Sequence, residues 1–160
     1  MPAAVSGQTA PAAGASRVIR RGAEIGAWDG LAALPYKAAD GTWAGVTRRL
    51  LAGGAGSACA FELRYFELAP GGRTARERHH HEHAVVVLRG AGEVTLGDVA
   101  HRLGAGDLVR VAPGEAHQFR NAGAEPFGFL CVVDATRDRP EPLPDADDAP
   151  VGAPSCDVPP

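Results

Sequence analysis

Cysteine is scarce in this chain of 160 residues: Cys59, Cys131 and Cys156 are an odd number and show no C-x-x-C spacing. That argues against a disulfide framework and against a thiolate zinc site, so a bound metal would have to be held by histidine. Long apolar runs are missing too. No stretch of about eighteen apolar residues occurs, and nothing in the sequence reads as a membrane-spanning helix. The opening MPAAVSGQTAPAAGASR lacks the charged-then-apolar order of a secretory signal, which makes a cytoplasmic location the expectation. Basic charge is not in excess either. Sixteen Lys and Arg stand against nineteen Asp and Glu, for a net charge of −3, and the cations are scattered. Such a chain has no face that would neutralise nucleic-acid phosphates, so no nucleic acid is expected as a partner.

What remains is enough for one apolar core and too little for two. Residues 1–16 are Ala, Gly, Ser and Pro with almost nothing to bury, and residues 136–160 hold most of the prolines with Asp138, Glu141, Asp145, Asp147 and Asp148. Both ends are expected to be disordered or loosely draped, the second as a flexible acidic proline-rich tail, which leaves residues 17–135 as the folded unit. Within it the apolar residues come in runs of four to eight, closed by Gly, Pro or Asn-Ala-Gly, rather than at helical spacing. The runs TRRLLAG, FELRYFEL, ERHHH, HAVVVLRG, GEVTLGD, VAHRLG, DLVRVAP, AHQFRN and FGFLCVVDA predict eight or nine strands, with one short helical turn over GAWDGLAAL (26–34). An all-β fold follows, and a jelly roll of two antiparallel sheets is the economical way to close it.

The stretch RERHHHEHAVVVLRG (76–90) places four of the six histidines within five positions. In a strand, side chains alternate faces, so Glu77, His79, His81 and His83 share one face while Arg78, His80 and Glu82 share the other. One strand flanks only one side of an ion, and His117 in AHQFRN can supply the distant ligand. His101, between Ala100 and Arg102, reads as a surface residue.

The stretch PGGRTARERHHHEHAVVVLRGAGEV resembles the first motif of the cupins, G-x5-H-x-H-x3,4-E-x6-G, and GDLVRVAPGEAHQFRN resembles their second, G-x5,7-P-x-G-x2-H-x3-N. Gly71 and Gly90 both set the frame on positions 77, 79 and 83; Gly106, Asp107, Pro113, His117 and Asn121 fit the second motif, with one residue fewer than usual between Pro113 and His117. Glu77 then stands where the family's first histidine usually sits and His83 where its glutamate usually sits, a permuted donor set. The likeness runs from about Phe61 to Cys131. It implies a metal site of Glu77, His79, His83 and His117, with His81 held in reserve for Glu77. Three imidazoles and a carboxylate suit one divalent transition ion per chain, iron or manganese ahead of nickel, copper or zinc, with positions left open for other ligands.

On the strand FELRYFEL either Glu62, Arg64, Phe66 and Leu68 or Phe61, Leu63, Tyr65 and Glu67 face inward, which the residues alone leave open; the likeness to cupins implies Arg64 and Phe66 on the cavity side, where Arg64 could hold a substrate carboxylate or, equally, serve a structural ion pair. By parity with His117 and with each other, Phe119, Phe129 and Cys131 join them on the pocket wall, Cys131 foremost as a small buried hydrophobe. The leading functional expectation is a metal-dependent, dioxygenase-like oxidoreductase acting on a small organic substrate, with a carboxylate as the candidate class. A metal-dependent isomerase or lyase on a hydroxy acid or sugar, with Glu77 as general base, and a non-enzymatic small-molecule or metal binder are the alternatives. Likeness to cupins also implies a homodimer.

Overall fold

The computed structural model describes residues 16–37 and 41–145. Cys156, most of the expected N-terminal segment and the end of the expected acidic tail lie outside them. Eleven strands run in chain order: β1 (Leu34–Pro35), β2 (Ala44–Ala52), β3 (Phe61–Arg73), β4 (Glu77–Arg78), β5 (His83–Arg89), β6 (Ala91–Leu96), β7 (Val99–Gly104), β8 (Leu108–Val111), β9 (His117–Arg120), β10 (Phe127–Asp134) and β11 (Glu141–Pro142). All pairings are antiparallel, and the main path is β11-β4-β9-β3-β10-β5-β8. No helix of the described residues is long and apolar enough to cross a membrane.

The all-β barrel is thus present, and its two faces are continuous because β3 is thirteen residues long. Its first part pairs with β2 and β10, while Arg73 at its far end reaches Arg120 of β9. The β3–β10 register sets Arg64 opposite Cys131, Phe66 opposite Phe129 and Leu68 opposite Phe127. That register selects the inward set of β3 which the sequence alone leaves open. Leu68, Val85, Val87, Val111 and Phe127 are almost wholly shielded from water, and Phe119, Phe129 and Phe66 stack beside them, with ring centroids 4.8 and 5.8 Å apart along that series. Burial of such side chains, each contributing about 1.5–3 kcal/mol, is what closes the barrel.

The segment 26–34 is not helical. Gly26 and Gly30 take φ of 85° and 73°, which interrupts an α-helix, and Trp28 instead bridges Arg21 and Leu31. This segment is fastened to the outer face of the sheet by Arg49, whose guanidinium donates to the carbonyls of Gly26 and Leu31 at 2.8 and 2.7 Å. Trp28 meets Tyr65 edge-on at 5.3 Å. Tyr65, on the outward side of β3, is therefore buried as well. At Gly90 the turn into β6 needs φ 68°, and a side chain there would collide with the Pro126 carbonyl.

Asn121 ties the loops at the end of β9 together: its amide donates to the carbonyls of Leu68 and Glu125 at 2.9 and 2.8 Å, and its side-chain oxygen accepts from Gly123 at 2.9 Å. Asn121→Ala removes one buried and two part-buried hydrogen bonds at once. It should lower the unfolding free energy in urea by about 1–3 kcal/mol, the cost of leaving one buried group unpaired, since water can replace the two part-buried bonds; a loss below about 0.5 would show that these bonds carry no weight.

Candidate metal centre

The strand expected over 77–81 is only two residues long, because after Arg78 the backbone bonds to loops instead of to a neighbouring strand. The His79 carbonyl accepts from the Gly114 amide at 2.7 Å, and the amides of His80 and His81 donate to the Asp138 carboxylate at 2.8 and 3.1 Å. The alternation nevertheless persists: Glu77, His79, His81 and His83 are buried, while Arg78, His80 and Glu82 are exposed. His101 is exposed on β7.

Three imidazoles converge. One ring nitrogen from each of His79, His83 and His117 lies within 4.8 Å of the others. His79 follows β4, His83 opens β5, and His117 opens β9, brought alongside by the pairing of Glu77 with His117. Two tautomers are fixed by carbonyls, which can only accept: Nδ1–H of His79 donates to the His81 carbonyl at 2.7 Å and Nδ1–H of His117 to the Glu115 carbonyl at 3.0 Å. The Nε2 lone pairs are therefore left for another partner, and Nε2 of His79 is buried without one among the described residues.

Burial dominates the acid–base behaviour. It pushes His83 down to about 2 and His79 down to about 4, with the neighbouring imidazoles, His117 first, adding to the effect. Burial lowers His117 as well, although the Glu115 carbonyl partly opposes it. Neutral imidazoles with Nδ1–H engaged are the form that binds a metal ion, so these residues fit a divalent first-row ion by chemistry as well as by convergence.

Glu77 lies on the same cavity, buried, with Oε2 3.8 Å from Nζ of Lys37. His81 stacks on His79 with ring centroids 3.7 Å apart, and its Nδ1–H donates to Asp138 at 2.7 Å. Neither belongs to the mutually close trio. The cavity beside the trio is about 750 Å³, and Phe66, Phe119, Phe129, Cys131 and Arg64 are on its wall. Arg64 is buried, donates from Nη2 to the Cys131 sulfur at 3.3 Å, and keeps Nε without a partner among the described residues. Burial holds the Cys131 thiol above its usual range, with Arg64 pulling the other way.

Several wall residues carry no signal in the sequence. Tyr36, Lys37 and Trp43 flank the cavity from the segment before β2, and Arg137, Asp138 and Arg139 reach it from beyond β10. Lys37 takes φ 48° and stands over the Trp43 ring at 5.0 Å.

Two outcomes are expected of this centre. Elemental analysis of protein purified without chelator should find close to one transition ion per chain, lost in His79→Ala and in His117→Ala; retention in both variants contradicts the assignment. Metal-free protein should also lose stability as pH falls from about 6.5, the ordinary imidazole value, toward about 4. Over that window the unfolded chain binds protons that the buried rings refuse, so stability rises with pH; urea midpoints that stay flat across it would show the rings to be hydrated.

Residues 64–133 match the Cupin_2 family model, described as a cupin domain. The chain is 40% identical over 121 residues to the 1-methylthio-D-xylulose 5-phosphate methylsulfurylase of Rhodospirillum rubrum, covering 75% of this chain and 76% of that one. Among solved structures, a cupin 2 conserved barrel domain protein from Rhodopseudomonas palustris shares 43% identity at TM-score 0.73, over 82% of this chain and 89% of that one. A cupin-2 domain from Rhodospirillum rubrum shares 39% at TM-score 0.69, over 80% and 85%. With both motifs folded around one cavity and a relative of this likeness over three quarters of each chain, the protein belongs to the cupin family as a small single-domain member.

Proposed function

We propose that the chain is a metal-dependent enzyme acting on a small phosphorylated sugar that carries a methylthio group. The observation that carries this reading is the convergence of His79, His83 and His117 at a cavity also lined by buried Arg64, a cation with no carboxylate partner among the described residues. The substrate class comes from the relative in Rhodospirillum rubrum, whose name specifies a methylthio-pentulose phosphate. The three histidines would hold one divalent ion, iron or manganese first, with Glu77 as the candidate fourth donor and His81 its reserve. Such an ion supplies a Lewis acid for a substrate oxygen when bound.

The chain's own residues supply the rest. Arg64 lacks a carboxylate partner among the described residues, so its buried charge favours an anionic oxygen of the substrate over an empty pocket. Lys37 and Arg137 on the same wall already face Glu77 and Glu62 at 3.8 and 2.7 Å, so Arg139 is the further cation there that suits a phosphate. Glu77, if not a ligand, is a carboxylate within the cavity able to take or return a proton as general base. Phe66, Phe119 and Phe129 keep water from the reacting end. A cytoplasmic homodimer belongs to this proposal.

A dioxygenase-like oxidoreductase is the second reading, favoured by the imidazole-rich donor set, which suits redox-active iron or manganese. Incubation of the metal-loaded protein with 1-methylthio-D-xylulose 5-phosphate under phosphorus NMR and an oxygen electrode separates the two. The first reading expects loss of substrate at constant dissolved oxygen; oxygen uptake matching substrate loss would replace it with the second, and an unaltered substrate would sink both for this compound. Arg64→Met should raise KM or lower kcat/KM about 10- to 100-fold, the loss of one charge-assisted hydrogen bond of about 1.5–3 kcal/mol. Unchanged kinetics would return Arg64 to a structural role.

A further inference from the structure

The segment after β10 does not hang free where it is described; it returns across the barrel beside the histidines. Glu141 and Pro142 pair with Arg78 and Glu77, and the Leu143 amide donates to the Arg76 carbonyl at 2.8 Å. Glu141 takes Arg78 through two bonds at 2.8 and 2.9 Å, and Asp145 accepts from Nε2 of Gln118 at 2.8 Å. Within this strap Asp138 stands apart, because its partners are not cations but the histidine loop itself. Oδ2 accepts the His80 amide at 2.8 Å, while Oδ1 accepts the His81 amide at 3.1 Å and its ring Nδ1–H at 2.7 Å.

His81 in turn supports His79 twice. Its carbonyl takes the His79 Nδ1–H at 2.7 Å, and its ring lies against the His79 ring at 3.7 Å with an interplanar angle of 10°. Asp138 therefore acts on His79 through one intermediary held at both backbone and side chain. We propose that Asp138 is a positioning residue of the metal centre: by fixing His81 it sets the tautomer and the aim of Nε2 of His79. The inference rests on the reading of His79, His83 and His117 as ligands. Partners that orient ligating imidazoles, when removed, typically cost about 10- to 100-fold in metal affinity. A carboxylate is needed here because three N–H groups point at it; an asparagine offers one oxygen and turns an N–H donor toward an N–H donor.

The test is titration of the metal-free full chain with Co²⁺, read by calorimetry and by the visible ligand-field bands. Asp138→Asn should bind about 10- to 100-fold more weakly than the parent, with altered band positions, at an unchanged far-ultraviolet CD spectrum. Glu141→Gln, which loosens the same strap at its exposed ion pair, should stay within about twofold. Where the asparagine variant does not fold, Asp138→Ser, which keeps one acceptor for the amides, should show the same loss. Parental affinity and bands in the Asp138 variant overturn the inference, as does an equal loss in Glu141→Gln, which would mark the strap as a general clamp. Absence of Co²⁺ binding by the parent chain overturns the ligand reading itself, and this inference with it.

Discussion

Three imidazoles held dry and uncharged around one point are the constraint on which the remaining structure depends. Removing a ring from water raises the cost of protonating it, and placing three such rings together raises that cost further. Two of the three have their Nδ1–H groups committed to backbone carbonyls, which leaves their Nε2 lone pairs uncommitted, and that of His79 is buried with no partner among the described residues. Lone pairs gathered in that way repel one another until a cation lies between them. The barrel supplies the rigidity that keeps them there, because the strands that carry or flank them, β4, β5 and β9, are fixed by register.

The same barrel gives the centre its chemical setting. On one side of the imidazoles is an aromatic wall; on another are Arg64 and Cys131, opposed across β3 and β10. Acidic side chains in the cavity are largely matched by basic ones, Glu77 by Lys37 and Glu62 by Arg137. Arg64 has no carboxylate partner among the described residues and is a buried cation on the cavity wall, with the Cys131 thiol at 3.3 Å and the Phe66 ring at 5.1 Å. A ligand carrying both a coordinating oxygen and an anionic group would satisfy the imidazoles and the guanidinium together. This is the physical ground for preferring a phosphorylated or otherwise anionic small molecule over a neutral one.

Much of this was legible in the residue order, for reasons that can be stated. Period-two burial from Glu77 to His83 survives even though regular strand stops at Arg78, since the chain stays extended and one side must be hidden. His117 could be assigned to the same point because turn residues before it fix where β9 begins. Which face of β3 turned inward was not legible, as both sets contain apolar residues and Tyr65 is buried by a separate segment packing from outside. The expected helical turn at 26–34 failed on two glycines with positive φ and on bridges around Trp28. The role of Asp138 had no local signal at all. It lies in a proline-rich acidic stretch whose composition suggests disorder, and its partners are 57 and 58 positions away.

The most direct measure of the central claim is X-ray absorption at the edge of the metal bound by the purified protein. The expected result is an inner coordination sphere of nitrogen and oxygen whose outer scattering fits three imidazole rings. Sulfur from Cys131 in that sphere, or scattering that fits fewer than two imidazoles, would contradict it.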